Sequence, residues 1–253
     1  MTCHVSCSFS ILDNLRLRRE HFGGLVFDSV QKATIDLDRP TFRILELVEQ
    51  GFTTADVGDV LRKEKLIRSD QVKLQVQKCW DKLLSLGLIV PSPPTADSKI
   101  KGNRHCATSK WPDGPMLSAP EKIEWAITFQ CQQNCPDCYA KFERLSAMKD
   151  LTTESAVELV KRIAQWGVFQ LDITGGEPLL REDIAQIIST ACQQGLMVNL
   201  TTAADSKLDD ELLQVLSHKS ASLSIGLKPS DLFDEADERR LHSLDMLAKR
   251  CQL

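Results

Sequence analysis

Cys131, Cys135 and Cys138, in the run CQQNCPDC, follow an apolar strand-like segment that ends at Phe129, and this spacing limits what the downstream half of the chain can become. Three thiolates on one short loop hold three corners of a 4Fe-4S cluster and leave one iron open for chemistry. A closed zinc site needs a fourth ligand, usually from a second Cys-x2-4-Cys pair or from His-x3-5-His. No second knuckle follows here: Cys192 and Cys251 are isolated, and the nearest preceding histidine is His105, in a proline-containing stretch. Three buried core thiols are the blandest reading, but Gln132, Gln133, Asn134, Pro136 and Asp137 make a polar loop. The triplet by itself leaves cluster, zinc and core thiols as readings, with the absent fourth ligand favouring the first.

Gly175-Gly176-Glu177-Pro178 directly follows the alternating run Leu171-Asp172-Ile173-Thr174. It therefore lies at the carboxyl end of a strand, where paired glycines let backbone approach a ligand closely. Alone, such a segment is a strand-to-helix turn. Together with a C-x3-C-x2-C loop on the preceding strand, it resembles the radical S-adenosylmethionine enzymes, over about Lys122 to Leu253.

The resemblance implies ligation of a 4Fe-4S cluster by Cys131, Cys135 and Cys138. It implies contacts to S-adenosyl-L-methionine from Gly175, Gly176, Glu177 and Pro178, with Tyr139 and Ser224 near the same cofactor. An electron donor would act as a partner, and the resulting 5′-deoxyadenosyl radical would abstract hydrogen from an unactivated carbon; the cofactors carry the chemistry and the protein positions it. Two positions depart from the family pattern. Asp137 stands where an aromatic residue or histidine usually precedes the third cysteine, Tyr139 following it by one place; Gly226 and Lys228 occupy later positions of the strand that begins at Ser222. Replacing Gly176 by Val is expected to weaken cofactor binding while iron content stays near normal.

At 253 residues the chain fits one large or two ordinary domains. No apolar stretch approaches the roughly 20 residues of a membrane helix, and Met1 to Arg19 lacks the apolar core of a secretory signal. Nine cysteines in a chain of this length, three of them clustered, point to metal and a reducing cytoplasm rather than to a disulfide scaffold. Cys3 and Cys7 repeat a C-x3-C spacing near the start and are expected to be spare thiols on a frayed terminus.

Prolines at 91, 93, 94, 112, 115 and 120, mixed with Ser, Lys, Gly and Asn, predict a linker over 91–120. Residues 1–90 carry 13 basic and 12 acidic side chains, and 121–253 carry 14 and 21, so neither half offers the basic footprint of a nucleic-acid binder. Downstream of the linker, candidate strands Ile123–Phe129, Gln170–Thr174, Met197–Thr201 and Ser222–Leu227 alternate with helices near Thr153–Trp166, Arg181–Gln194 and Asp209–His218. Such alternation predicts an α/β fold with a parallel sheet and right-handed crossovers. Relatives build a partial barrel of six such units; at about 30 residues per unit there is room for about four in 121–253. A last helix near Ala236–Arg250 ends at Leu253, so the chain reads as a barrel truncated at its C-terminus, without strands five and six or an auxiliary-cluster domain.

The first ninety residues read as a small α+β, winged-helix-like domain. Leu15–Arg19, Gly24–Asp28 and Ala33–Asp38 alternate as strands, and three helices follow: one opening after Asp38-Arg39-Pro40, one N-capped by Thr53 with Asp56 reaching back, one ending at Gly87. Three strands then three helices, with Arg-Glu-x-Phe-Gly-Gly-Leu-Val-Phe-Asp and Asp-Arg-Pro-Thr-Phe in place, resemble the precursor-recognition domain of ribosomal peptide maturation. The resemblance implies that a leader peptide adds as a strand beside the third strand, at Lys32, Thr34, Ile35 and Asp36. The competing reading is a DNA-binding winged helix, which the balanced charge of the domain opposes.

A peptide binder tethered to a radical-generating barrel raises the local concentration of the peptide core without fixing one residue there. The expectation is a radical enzyme that modifies a ribosomally made precursor peptide. Two alternatives stay open: a leader-binding module without its own catalysis, and a radical enzyme acting on a small molecule. Binding partners are then the precursor peptide and a reductant, with neither nucleic acid nor membrane.

Overall fold

The computed structural model describes residues 8–68, 71–92, 110–133, 135, 138, 149–203 and 208–226. They belong to two compact units, 1–118 and 119–253. Among the described residues no helix is long and apolar enough to cross a membrane.

In the first unit, β2 (Leu15–Glu20), β3 (Gly23–Asp28) and β4 (Ala33–Asp38) form an antiparallel sheet in that order. Helices α1 (Arg39–Glu49), α2 (Thr54–Lys63) and α3 (Val72–Ser85) follow. Asp38 ends β4 and caps α1, accepting from Thr41 N at 3.0 Å, and Pro40 stands where a helix has no use for an amide hydrogen. Thr53 starts α2 as expected, its N and Oγ1 both donating to Asp56 Oδ2. The core gathers Leu17, Val26, Leu37, Phe42, Leu45, Leu61 and Leu83 from all these elements.

Two features of this unit differ from the sequence reading. A strand β1 (Ser8–Ile11) pairs antiparallel with β5 (Ile89–Ser92), Ser8 opposite Ser92 and Ile11 opposite Ile89. Pro91 thus belongs to a two-stranded ribbon rather than to a linker, because an edge strand tolerates a residue without an N–H. At the other end, residues 110–118 pack back on the same unit. Trp111 meets Phe42 edge-on at 6.1 Å, with the Arg19 and Arg39 guanidinium carbons 5.0 and 5.5 Å from its ring centroid. Ser118 N and Oγ donate to the fully buried Glu20, at 2.8 and 3.0 Å. The linker expected over 91–120 is therefore shorter at both ends; residues 93–109, and Cys3 and Cys7, lie outside the described residues.

The second unit is a parallel sheet of β6 (Lys122–Thr128), β7 (Gln170–Gly175), β8 (Met197–Thr202) and β9 (Ala221–Ile225), neighbours in sequence being neighbours in the sheet. Helices α4 (Thr153–Trp166), α5 (Ile184–Gln193) and α6 (Asp210–Leu216) make the crossovers. Val160, Ile163, Ile187, Ile188 and Leu212 pack on Leu171, Ile173, Val198 and Leu200, so one sheet face is closed by helices. By the two-residue alternation of a strand, Glu124, Asp172, Asn199 and Ser222, which lie in register across all four strands, share the opposite face with Thr174, Thr201 and Ser224. That face is polar and half open. This is the α/β architecture expected, four strands of a partial barrel. Helix α5 begins three residues later than the sequence suggested, because Pro178–Leu180 form a 3-10 turn and Arg181 is extended. Leu227, Lys228 and the helix expected near Ala236–Arg250 lie outside the described residues.

Candidate functional site

The chemistry-bearing segments meet at the carboxyl ends of β6 and β7. Gly176 N donates to Thr128 O at 2.7 Å, and Glu177 N donates to Gln130 O at 2.8 Å, so the Gly-Gly-Glu segment is bonded to the backbone entering the cysteine loop. Both glycines are required by that closeness. A Cβ on Gly175, whose φ is +132°, would lie 2.2 Å from Thr128 O, and one on Gly176 would lie 2.2 Å from Gln130 O and 2.9 Å from Phe129 C. The expectation that a valine at Gly176 spares iron content is therefore corrected: its side chain would displace the residue next to Cys131.

Cys131 is exposed, Cys135 and Cys138 are half-buried, and all three are free thiols. Gln133 N donates to Cys131 Sγ at 3.4 Å, Cys135 Sγ donates to Gln133 Oε1 at 3.3 Å, and Cys138 N turns back to Cys135 O. Among the described residues no three His, Cys, Asp or Glu side chains are arranged to hold a metal ion. What suits the triplet to a cluster is its donor chemistry: three accessible thiols on one loop, none consumed by a disulfide.

A clasp that the sequence reading missed closes the loop's two ends. Thr128 Oγ1, at its start, donates to Asp150 Oδ2, at its end, at 2.8 Å. Arg181, 9% exposed, forks onto Asp183 at 2.9 and 2.7 Å and donates to Leu151 O at 3.0 Å and Ile127 O at 3.4 Å. Burial alone would raise the Asp183 carboxyl, but the Arg181 and Thr153 hydrogen bonds and the Arg181 charge outweigh it and hold it below the ordinary value. The signal available in sequence was a basic residue three places after Pro178, with an acid two places beyond.

Glu177 is 4% exposed and accepts from Thr202 Oγ1 at 2.5 Å and Leu179 N at 3.0 Å on Oε1, and from Ala203 N at 2.9 Å on Oε2. Pro178 is buried at the first position of the 3-10 turn. Ser224 Oγ donates to Asn199 Oδ1 at 3.0 Å, and Ser222 Oγ donates to the same oxygen at 3.1 Å. Sequence reasoning found Ser224 but neither Asn199 nor Thr202, whose only signal was their place on β8, Thr202 as its last residue. Tyr139 lies outside the described residues. Elsewhere, Cys192 on α5 is buried among the core residues, and that burial pushes its thiol up to about 11.

In the first unit the expected peptide-contacting residues form one edge. β4 is the last strand of its sheet, with Asp36 exposed and Thr34 and Ile35 half-buried, while Lys32, at φ 52°, turns the chain into it. The opposite edge strand, β2, is buried at Leu15, Arg16, Leu17 and Arg18.

Residues 125–240 match the model of the Radical SAM superfamily. An 85-residue stretch, 34% of the chain, is 36% identical to PqqA peptide cyclase of Bradyrhizobium diazoefficiens and spans 22% of that protein. Among solved structures the chain resembles Streptococcus suis SuiB bound to S-adenosylmethionine, with TM-score 0.67 and 18% identity, covering 96% of this chain and 55% of that one. It matches SuiB bound to the precursor peptide SuiA equally well, with TM-score 0.67 and 17% identity, covering 96% and 54%. The chain thus spans about half the length of the SuiB structures and about a fifth of the peptide cyclase. The fold of these residues is the radical SAM fold.

Proposed function

We propose that this chain is a radical S-adenosylmethionine enzyme that modifies a ribosomally made precursor peptide, capturing the leader on its first unit. The observation that carries the proposal is the double backbone clasp of Gly176 and Glu177 on Thr128 and Gln130, which fixes a ligand-approaching glycine pair beside three free thiols. The matches to a peptide cyclase and to a structure holding a precursor peptide support the peptide half of the reading.

In this reading Cys131, Cys135 and Cys138 hold a 4Fe-4S cluster. Gly175, Gly176, Glu177, Pro178 and Ser224, with Tyr139, receive S-adenosyl-L-methionine. The bound pair, given an electron by a reductant, supplies hydrogen abstraction from an unactivated carbon. The protein's own contribution is placement. Gly175 and Gly176 keep side chains out of the way, Glu177 offers a buried carboxylate, and Thr201 and Ser224 offer hydroxyls toward the same sheet end, with Asn199 and Ser222 one step further back on that face. Lys32, Thr34, Ile35 and Asp36 line the open edge of β4, where an extended leader adds as a fourth strand. The recognition domain extends past residue 90 to include the returning segment 110–118, with the radical SAM unit following.

Anaerobic reconstitution of the full chain tests this. About four iron and four sulfide per chain, lost in Cys135→Ala, together with 5′-deoxyadenosine released on reduction, are the expected results. Stoichiometric zinc without iron uptake would overturn the cluster assignment. Duplex DNA bound with steep salt dependence, and no leader peptide bound, would overturn the assignment of the first unit.

A further inference from the structure

Glu177 is a buried carboxylate with hydrogen-bond donors but no cation. Among the described residues no Lys, Arg or His side chain pairs with it, since nearby Arg181 is committed to Asp183 and the loop carbonyls. Its three donors among the described residues are the Thr202 hydroxyl and the amides of Leu179 and Ala203. A carboxylate offers roughly four acceptor positions, so the donors among the described residues leave one, on Oε2. A charge this buried asks for a cationic partner, and one open acceptor position suits a single N–H of an ammonium group.

We infer that Thr202 is the positioning residue that prepares Glu177 to receive that ammonium; the inference rests on the reading that Glu177 meets the amino group of S-adenosyl-L-methionine. Of the three donors Thr202 is the one supplied by a side chain, and its own place is fixed twice. It ends β8 opposite Ile225 of β9, and Thr202 O accepts from Gly226 N at 2.9 Å. Its β-branched side chain, 3% exposed, has few rotamers to lose. With the hydroxyl on Oε1, the carboxylate cannot rotate without breaking a buried charge-assisted hydrogen bond, so Oε2 keeps one direction. Without it, Oε1 retains the Leu179 amide alone, and the open acceptor position loses its fixed place.

The test uses the full chain, reconstituted with iron and sulfide, and two probes: S-adenosyl-L-methionine and its analogue lacking the amino group. Their affinity ratio isolates ammonium recognition. Thr202→Val should keep iron content near wild type and, because a buried carboxylate loses a donor, lower the unfolding midpoint to a degree that Thr202→Ser restores, while the ratio falls about tenfold or more, the range of a lost hydrogen bond to a charged group. Thr202→Ser, which keeps the hydroxyl, should restore the ratio. If Thr202→Val does not fold, Thr202→Ala against Thr202→Ser gives the same comparison. A ratio unchanged by Val or Ala, or unrestored by Ser, overturns the role of Thr202 while leaving the cofactor reading intact. Wild-type protein that binds both probes equally overturns Glu177 as the ammonium partner, and the inference with it.

Discussion

Glu177 N donates to Gln130 O at 2.8 Å, one residue before Cys131. Two loops from different strands are thereby tied by main chain rather than by side chains, so their spacing is insensitive to most substitutions and acutely sensitive to a Cβ at Gly176.

Gly176→Ala should accordingly act on the cysteine loop. The added carbon would sit 2.2 Å from a backbone oxygen, which cannot swing aside as a side-chain end does. The expected cost is about 1–3 kcal/mol of stability or more, with iron uptake reduced in the same variant. Chemical denaturation and iron analysis check both; normal iron with lost cofactor affinity would show that the loop yields.

The strands and helices of both units were legible because local signals agreed with the fold. Thr152 and Gly167 bracket α4 at the residues expected, and Asp38-Arg39-Pro40 starts α1. The thiols and the glycine pair were legible because their spacing along the chain is itself the motif. What escaped was set by contacts distant in sequence. Ser118 lies 98 positions from Glu20, Thr202 25 from Glu177, and Asp150 22 from Thr128. No local pattern marks such partners. The ribbon of β1 with β5 was hidden for the same reason, since Ser8–Ile11 is too short to announce itself and its mate begins at Ile89.

Arg181→Gln should loosen both ends of the loop at once. The substitution leaves Asp183, 16% exposed, without its cation and frees the carbonyls of Ile127 and Leu151. A broken buried pair costs about 3–5 kcal/mol, and the partial exposure of Asp183 places this one at the low end. Because the folded-state Asp183 carboxyl lies below its ordinary 3.8, its contribution is present above that value and is lost as pH falls through the folded value. Urea unfolding should show the gap between wild type and variant narrowing below about pH 4. A gap that is constant with pH would assign the loss to the carbonyl contacts instead.

Trp111→Ala should destabilise the first unit although Trp111 lies beyond its last strand. The ring touches Phe42 and carries two guanidinium groups at 5.0 and 5.5 Å. Losing half-buried aromatic area and two cation–π contacts amounts to about 2–3 kcal/mol. Denaturation of segment 1–118 against 1–95 checks the same claim, the shorter one also stripping Ser118 from the buried Glu20. Equal stability of the two segments would return 110–118 to the linker.

Proline substitution along β4 should separate folding from peptide capture. In the β3–β4 ladder Thr34, Ile35 and Asp36 stand opposite Phe27, Val26 and Leu25, and no strand covers the other edge among the described residues. Amides of successive residues point alternately toward β3 and away from it. Proline removes a donor and fixes φ, so at alternate positions among Thr34, Ile35 and Asp36 it either breaks the existing ladder or removes a bond that an added leader strand would make. The outward positions should keep the unfolding midpoint near wild type and weaken leader binding by about tenfold, whereas alanine at the same positions should change binding little. Calorimetric titration of a leader peptide into each folded variant distinguishes the outcomes. Proline and alanine losing affinity equally would mean that side chains, not the open backbone of β4, recognise the peptide.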